Sequence, residues 1–354
     1  MKRLSFKPLL LYGESLLLSI NILLSCNPFS PSLPDNVQMS LKTDNPVVHY
    51  TNAIVTGTVY FSGYGINDSY SSYEKHLSVK IQWGTDKNNL SESTTASIEY
   101  LSSQYDNHAF TYKTEIPDLT DGEVYYYVAT AQYGSDEAIA NPVKFFTLPG
   151  GPVDLDLKSG TLWASANLGA EYPEESGDYI SWAETSPKKT NALYDWTYYK
   201  WCQGAYNKLT KYCNDSSYGY KGFTDNLLVL QEEDDAAAHS LGSPWRIPSN
   251  SDWEDLNKQC GWTYDYYNGM PGWFVRSKSN PDDNKKVIFL PLAGCCNTES
   301  RRSFGFDGFY WTTNLVGGWY PERAYCFEIS SLSHGSNEAL RCLGFNIRPV
   351  KNTK

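Results

Sequence analysis

Arg246 is the residue whose type and surroundings most suggest chemistry, because it follows Trp245 and lies near a run of acidic residues. Asp234 and Asp235 close that run and are its nearest plausible carboxylate partners in the sequence. An arginine beside paired aspartates could form part of a catalytic site or a structural ion pair. Carboxylates are favoured at the start of a helix whatever their function, so we interpret these residues as a structural ion pair.

The segment around Arg246 predicts a fixed corner that leads into a helix. Ile247 precedes Pro248 and is therefore driven toward extended geometry. Ser249 can cap the next helix, with Asp252 three residues later completing a shortened capping box. Trp253 would then pack the first turn of this helix against a sheet. The residues assigned a structural role are Trp245, Arg246, Pro248, Trp253, Asp234 and Asp235.

The sequence predicts neither a catalytic residue nor a metal or cofactor. The carboxylates of residues 232–235 could imitate a glycosidase pair, but neighbouring residues on a helix point in different directions. His239 ends an alanine-rich helix and His334 lies in a turn, and neither is in a recognisable nucleophile setting. No Cys-x-x-Cys or His-x-x-x-His spacing that would suggest zinc occurs. We therefore predict that the protein is not an enzyme.

Two aromatic loops are the candidate ligand-binding sites. Trp262 and Tyr264 belong to residues 261–269, and Trp319 and Tyr320 to residues 317–321. Glycine and proline flank these rings, and side chains on turns tend to be exposed. Alternatively, Trp262 and Tyr264 simply alternate into a sheet as part of a hairpin strand. For Trp319 and Tyr320, no strand periodicity favours either interpretation.

Seven of the eight cysteines lie between Cys202 and Cys342, and some are expected to pair in an oxidising compartment. Cys326 and Cys342 lie in two strand-like runs separated by a turn, and a hairpin would bring them face to face. Cys202 and Cys213 flank a short loop and form the second predicted disulfide. The cysteines whose pairing is left open are Cys260, Cys295 and Cys296.

The N-terminus has basic residues, an apolar run at residues 16–24 and then Cys26. This pattern resembles a bacterial lipoprotein signal, which implies cleavage after residue 25 and lipid on Cys26. A proline- and serine-rich tether would cover residues 26–36. The alternatives are an ordinary signal peptide or an uncleaved anchor. The resemblance places the protein in the cell envelope, anchored to the outer membrane, with either the periplasmic or the exterior face possible.

The composition limits the classes of partner. The chain has 354 residues, a formal net charge of −11, 28 tyrosines and 11 tryptophans. Nucleic-acid binding normally requires a basic footprint, so this class is excluded. An acidic surface rich in aromatic residues suits contacts with carbohydrate or protein.

Residues 37–148 predict a small all-β sandwich, because strand-like runs are separated by Gly, Asn, Asp and Ser. Alternate residues Tyr125, Tyr127, Ala129 and Ala131 would face inward, with Leu119 and Tyr125 forming a corner. This part resembles a fibronectin type III domain. The matching residues are Leu119, Gly122, Tyr125, Tyr127, Ala129 and Phe145-Phe-Thr147. Residues 149–152, Pro-Gly-Gly-Pro, predict a linker.

Residues 153–354 predict an α+β domain with two helices against a twisted antiparallel sheet. Ordered motifs run through residues 153–350: Trp163-Ala164, Asn167-Leu-Gly-Ala170, Gly177-Asp-Tyr179, Trp182-Ala-Glu-Thr185, Tyr199-Lys-Trp-Cys202, Leu209-Thr-Lys-Tyr-Cys213, Glu233-Asp-Asp-Ala-Ala237, Trp245-Arg-Ile-Pro-Ser249, Trp253, Phe289-Leu-Pro-Leu-Ala-Gly294, Tyr310-Trp-Thr-Thr313 and Gly344-Phe-Asn-Ile-Arg-Pro-Val350. Together they resemble the Fibrobacter succinogenes major paralogous domain of Bacteroidetes surface proteins. The resemblance implies a fold similar to C-type lectins and formylglycine-generating enzymes.

The resemblance implies a fold more firmly than a function. The Glu-Pro-Asn and Trp-Asn-Asp triplets with which calcium-dependent lectins bind sugar do not occur, and Trp311-Thr-Thr-Asn314 is only a partial match. The expected function is a membrane-anchored, non-catalytic module that presents a lectin-like domain to a glycan or a cell-surface protein. A structural adhesin or fimbrial component is the alternative, and an enzyme of the formylglycine-generating group is disfavoured.

Overall fold

A computed structural model describes residues 32–63, 70–104, 107–189, 192–298 and 300–352. The predicted signal peptide and Cys26 lie outside these residues. The chain divides into two compact units, one of residues 1–45, 55–115 and 126–143 and one of residues 46–54, 116–125 and 144–354. Within the described ranges, no helix is long and apolar enough to span a membrane.

The N-terminal part is built from two antiparallel sheets. One has the order β1-β3-β7-β6 with β2 beside β3, and the other has the order β10-β8-β4-β5 with β9 beside β8. The elements are β1 (Val37–Thr43), β2 (Val47–Val48), β3 (Ala53–Gly63), α1 (Tyr70–His76), β4 (Leu77–Gly84), β5 (Glu92–Thr95), β6 (Ser97–Gln104), β7 (Asn107–Ile116), β8 (Val124–Tyr133), β9 (Asp136–Ile139) and β10 (Val143–Phe146). The predicted all-β architecture of this part is confirmed.

Strand β8 shows why this part forms sheets. Its side chains alternate strictly between buried and half-buried positions, with Tyr125, Tyr127, Ala129 and Ala131 on the buried face. The predicted corner is present, since the Tyr125 hydroxyl accepts a hydrogen bond of 2.9 Å from a backbone N–H. Alternation of this kind buries one face of the strand and fixes its register.

The C-terminal part carries four small antiparallel sheets: β11-β12-β21, β13-β14-β15, β16-β17 and β18-β19-β20. Its strands are β11 (Pro152–Asp154), β12 (Thr161–Ala164), β13 (Cys260–Tyr267), β14 (Met270–Ser277), β15 (Val287–Pro291), β16 (Cys295–Asn297), β17 (Ser300–Arg302), β18 (Asp307–Gly317), β19 (Tyr320–Ser330), β20 (His334–Leu340) and β21 (Val350–Asn352). Its helices are α2 (Ala236–Leu241) and α3 (Asn250–Gln259), with 3-10 turns at Tyr220–Gly222 and Glu232–Asp234.

Helix α3 lies at the centre of the main core of this part. Trp253 is fully buried, stacks on Phe327 of β19 at 4.5 Å between ring centroids, and meets Trp163 of β12 edge-on at 4.7 Å. Leu256, one turn later, is also fully buried in the same core. The helical spacing of these two residues therefore joins α3 to two different sheets.

The sequence predicts strands at residues 178–182 and 344–350, and neither prediction is correct as a regular strand. Residues 178–182 and 344–349 form only isolated bridges, and a regular strand begins at Val350. The second segment exchanges hydrogen bonds with three separate parts of the chain, through Cys296, Ile180 and Phe309. Apolar residues thus predicted its burial correctly but not its pairing, because no single neighbouring strand runs beside it.

The predicted disulfide between Cys326 and Cys342 is not formed, and the hairpin register explains why. Cys326 on β19 lies opposite Asn337 on β20, not opposite Cys342. Cys342 follows the end of β20 and is buried in a separate core cluster that also contains Cys202 and Cys213. The sequence predicts the second strand later, at residues 340–347, because β20 is mostly polar and has no apolar alternation.

The predicted disulfide between Cys202 and Cys213 is also absent, and all seven cysteines of the described residues are free. The Cys202 thiol donates to the Trp196 carbonyl at 3.0 Å, and the Cys213 thiol donates to the Asp215 carbonyl at 3.1 Å. The two thiols are therefore directed to different backbone acceptors. Burial raises the pKa of both thiols.

Candidate functional site

The corner before α3 is held by one carboxylate. Ser249 caps the helix by accepting from the Asp252 backbone N–H at 3.2 Å, and Asp252 Oδ2 accepts from the Ser249 backbone N–H at 2.7 Å. Both guanidinium nitrogens of Arg246 donate to Asp252, at 2.6 and 3.0 Å. The predicted ion pair of Arg246 with Asp234 and Asp235 is therefore wrong, because the capping position brings Asp252 closer to it.

Asp235 instead caps helix α2. Its carboxylate accepts from the backbone N–H groups of Ala237 and Ala238, at 2.8 and 3.1 Å, and from that of Ile247 at 2.8 Å. Burial raises the pKa of Asp235, and these amides offset only part of the effect. Asp235 thus ties the helix to the corner.

Asp234 belongs to a second polar network. Its carboxylate accepts from the Lys211 ammonium at 2.5 Å and from the Tyr212 hydroxyl at 2.6 Å. Burial, followed by the hydrogen bond to Asp234, raises the pKa of Tyr212. Asp234 and Asp235 are thus held by different partners in two separate networks.

The aromatic residues of the corner differ in burial. Trp253 and Pro248 are buried. Trp245 is only half-buried, and the Lys351 ammonium lies 4.9 Å above its ring. Trp245 therefore lies at the surface of the corner and is not part of the core.

Trp262 and Tyr264 are both on strand β13 and half-buried against the main core. The Trp262 ring stacks on His334 at 4.1 Å with an interplanar angle of 14°. Tyr264 meets Trp273 of β14 edge-on at 5.7 Å. Both rings therefore pack within the sheet, as expected if they belong to a hairpin strand. They are weaker candidates for ligand binding than Trp319 and Tyr320, whose rings are exposed.

Trp319 and Tyr320 lie at the tip of the β18–β19 hairpin, where they are 85% and 53% exposed. Gly317 pairs with Tyr320, so the turn consists of Gly318 and Trp319. Both glycines have positive φ, of 69° and 59°, a conformation that other L residues rarely adopt. The turn therefore projects a large indole ring into solvent, which is unusual for a side chain of this size.

Polar groups surround the foot of this tip. The Arg323 guanidinium lies 5.9 Å from the centre of the Tyr320 ring, and its Nε is 3.8 Å from Glu322. The charge of Glu322, more than any other cause, raises the pKa of Tyr218, to which Tyr320 also contributes. Glu322 Oε2 is buried and has no hydrogen-bond partner among the described residues. A carboxylate, a guanidinium and phenols thus lie close to the exposed rings.

Apolar side chains continue this surface along the chain. Leu228 packs against the turn, since a Cβ atom at Gly317 would meet it at 3.0 Å. The backbone N–H of Leu315 donates to the Leu228 carbonyl, and Val229 forms a bridge with Asn314. We call Trp319, Tyr320, Tyr218, Glu322, Arg323 and Leu228 the tip surface.

Sequence reasoning found two residues of the tip surface and missed the rest. Tyr218 lies in residues 194–220, an aromatic stretch without regular periodicity. Glu322 and Arg323 could be assigned to the site only from the register of β19. The usable signal was the Gly-Gly pair before Trp319, which fixed the position of the turn.

Within the described residues, no group of three or more His, Cys, Asp or Glu side chains is arranged to hold a metal ion. The tip surface contains one carboxylate and one guanidinium, which suit hydrogen bonds to a neutral or weakly charged ligand.

No protein-family model and no curated protein matches the chain. A cycloalternan-forming enzyme from Listeria monocytogenes is 12% identical over 35% of this chain and 11% of its own, with a TM-score of 0.23. The starch-binding domain of Rhizopus oryzae glucoamylase is 16% identical over 31% of this chain and 91% of its own, with a TM-score of 0.20. A human fibronectin type III domain is 13% identical over 33% of this chain and 76% of its own, with a TM-score of 0.22. The chain thus spans about a tenth of the Listeria enzyme. Likenesses with TM-scores this low do not indicate a function for the chain.

Proposed function

We propose that the protein is a non-catalytic binding module that contacts a glycan through the tip surface. The observation that carries the proposal is the exposure of Trp319 and Tyr320, 85% and 53%, side by side on a hairpin turn. Burying either ring against a ligand would remove apolar area from water, and such exposed aromatic groups mark contact sites.

The groups beside these rings suit a sugar. The apolar face of a sugar ring packs on an aromatic side chain, whereas its hydroxyl groups need donors and acceptors. Arg323 supplies donors beside the rings, and the Glu322 carboxylate, whose unpaired Oε2 is enclosed, lies against the Arg323 guanidinium. A ligand with one apolar face and several hydroxyls would satisfy both kinds of group.

We further propose that residues 153–354 adopt the lectin-like fold implied by the sequence motifs, and that residues 37–148 are a fibronectin type III-like spacer. The hydrogen bond at Tyr125 and the alternating burial of β8 support the spacer assignment. Lipidation at Cys26 would attach the module to the outer membrane.

A cell-surface protein is the second candidate ligand, as expected for an adhesin or a fimbrial component. Leu228 of the tip surface and its neighbour Val229 are both exposed. Aliphatic side chains do not stack on sugar rings as aromatic side chains do. The exposure of Leu228 and Val229 therefore favours a protein partner that would cover these two residues.

A glycan-array screen of residues 27–354 tests the proposal. We expect the unmodified protein to bind at least one glycan class and the Trp319→Ala, Tyr320→Ala double variant to lose that binding with an unchanged melting temperature. Phe306→Ala is the matched control, because Phe306 is 76% exposed and outside the tip surface. Equal array signals for the double variant and the wild type would exclude the tip surface. Absence of any glycan signal would favour the protein ligand.

A further inference from the structure

A second concave site lies beside the corner that precedes α3. It is a cavity of about 490 Å³ between the Leu230 segment, the side of α2, the corner and the end of β21. This volume is within the range of about 300 to 1,000 Å³ typical of small-molecule sites. The residues that line the cavity include Glu232, Asp235, Trp245, Arg246, Thr313 and Asn352.

The walls of this cavity are fixed by backbone hydrogen bonds. The backbone N–H of Arg246 donates to the Val350 carbonyl, and the N–H of Val350 donates to the Arg246 carbonyl, each at 2.9 Å. These two hydrogen bonds join the corner to β21. On the opposite side, the Leu230 N–H donates to the Thr313 carbonyl at 2.8 Å. The site is therefore formed before a ligand arrives, which lowers the entropic cost of binding.

Trp245 provides an apolar wall with a free donor. Its ring is half-buried, and the ammonium of Lys351 lies 4.9 Å from the ring centre. In the described part of the chain, no group accepts a hydrogen bond from its indole N–H, and the nitrogen is not enclosed. A ligand in the cavity could pack on this ring and accept from its N–H.

The charges of the cavity favour a neutral ligand. Arg246 is neutralised by its two hydrogen bonds to Asp252, and Asp235 is occupied by three backbone amides. The exposed carboxylate of Glu232 stands at the edge of the cavity. The Lys351 ammonium lies over the Trp245 ring but is not among the residues that line the cavity. An anion in the cavity would therefore meet the Glu232 carboxylate and an arginine already paired with Asp252, and a purely apolar molecule would leave the polar wall unpaired.

Asn352 adds a carboxamide on the side of β21. Its Oδ1 accepts from Arg246 at 3.2 Å, so its amide nitrogen is left to donate. Glu232 can accept, and Asn352 and Trp245 can donate, around one apolar ring. This combination matches a molecule with several hydroxyl groups and one apolar face.

We propose that the cavity beside Trp245 binds a single neutral sugar unit, stacked on Trp245 and hydrogen-bonded by Glu232 and Asn352. The site is distinct from the tip surface and does not depend on the ligand proposed there. The cavity limits the size of its ligand, whereas the exposed tip places no limit on ligand length.

Saturation-transfer difference NMR with a panel of methyl glycosides (glucoside, galactoside, mannoside, xyloside and N-acetylglucosaminide) tests this site. We expect at least one to bind, and Trp245→Ala to weaken that binding by about tenfold or more. Glu232→Gln serves as the second variant, because Glu232 is exposed and its substitution leaves the fold intact. We expect a loss of about fivefold for a hydrogen bond to a charged group. Glu254→Gln on the exposed face of α3 is the matched control and should bind as the wild type does.

The outcome is separable from that of the tip surface. Methyl glycoside binding that survives Trp319→Ala, Tyr320→Ala but falls in the Trp245 and Glu232 variants supports the cavity, even if no longer glycan binds the tip. Binding by none of the glycosides, or binding that both cavity variants leave unchanged, would overturn the proposal and leave the tip surface to be judged by itself.

Discussion

Asp252 is the residue on which the corner before α3 depends. It completes the capping box with Ser249, and its carboxylate accepts hydrogen bonds from the two terminal guanidinium nitrogens of Arg246. Burial by itself would raise the pKa of Asp252, but the hydrogen bonds from Arg246 and Ser249 outweigh burial, and the pKa lies below its ordinary value. The ionised form is therefore favoured by folding.

This lowered pKa predicts a pH-dependent stability. A carboxyl group whose pKa is lower in the folded state stabilises the fold above its unfolded pKa, and the contribution is lost as the pH falls through the folded pKa. We expect Asp252→Asn to reduce the free energy of unfolding by about 1 to 3 kcal/mol at pH 7. The difference from wild type should shrink between about pH 5 and pH 3, measured by urea unfolding.

The control for this prediction is Glu254→Gln, because Glu254 pairs with Lys258 on the exposed face of the same helix. Exposed pairs of this kind contribute at most about 1 kcal/mol. A wild-type-to-Asp252→Asn difference that stays constant from pH 7 to pH 3 would show that the carboxylate charge has no part in the effect.

At the residue scale, the sequence predicted local partners better than distant ones. The Ser249–Asp252 spacing alone identified the capping box, because that motif spans only four residues. The predicted partners of Arg246, Asp234 and Asp235, are wrong. Asp252 is also near in sequence, and the choice depends on which carboxylate faces the guanidinium. Nothing local in the sequence could place Glu322 beside Tyr218, which comes from a separate loop.

At the element scale, Trp253 attaches α3 to the sheets of the C-terminal part. Its ring is 1% exposed, stacks on Phe327 with an interplanar angle of 7° and contacts Trp163. Truncation of a buried tryptophan costs about 3 to 5 kcal/mol. We expect Trp253→Ala to lower the unfolding free energy of residues 153–354 by this amount, measured by differential scanning calorimetry and urea unfolding.

Trp319→Ala is the matched control, since it removes the same side chain from an exposed turn. Its effect on stability should be within about 0.5 kcal/mol. Similar decreases in the free energy of unfolding of the two variants would contradict this prediction. They would mean that the Trp319 ring is packed against other groups or that the core tolerates a large cavity.

The elements that the sequence predicted well are those with a strong period. Strand β8 alternates and α3 carries a cap and a buried face, so both were predicted in type and position. Strand β20 was missed because its residues, His334–Leu340, are mostly polar and carry no apolar alternation. That omission misplaced the hairpin and, with it, the predicted partner of Cys326.

At the scale of the whole molecule, the proposed lipid anchor predicts how the protein fractionates. The sequence around Cys26 resembles a lipoprotein signal. We expect the wild type expressed in a Bacteroidetes host to enter the detergent phase of a Triton X-114 extraction, and Cys26→Ala to enter the aqueous phase. Detergent-phase recovery of Cys26→Ala equal to that of the wild type would contradict lipidation at this residue.

The composition predicted the surface of the molecule only in general terms. A net charge of −11 with 28 tyrosines and 11 tryptophans predicts a ligand other than a nucleic acid, but it does not separate core rings from exposed rings. Trp253 and Trp319 are identical in type, and only tertiary packing buries one and exposes the other. The sequence therefore predicted the turn that carries Trp319 as a candidate site, but not the residues from other parts of the chain that surround it.

The most direct test of the account is a calorimetric titration of the wild type and the Trp319→Ala, Tyr320→Ala variant with the glycan selected on the array. Each ring should contribute about 0.5 to 1.5 kcal/mol, so we expect the dissociation constant to rise by about 5- to 150-fold with the melting temperature unchanged. A dissociation constant that differs by less than about twofold between two equally stable proteins would contradict the proposal that the tip surface binds the ligand.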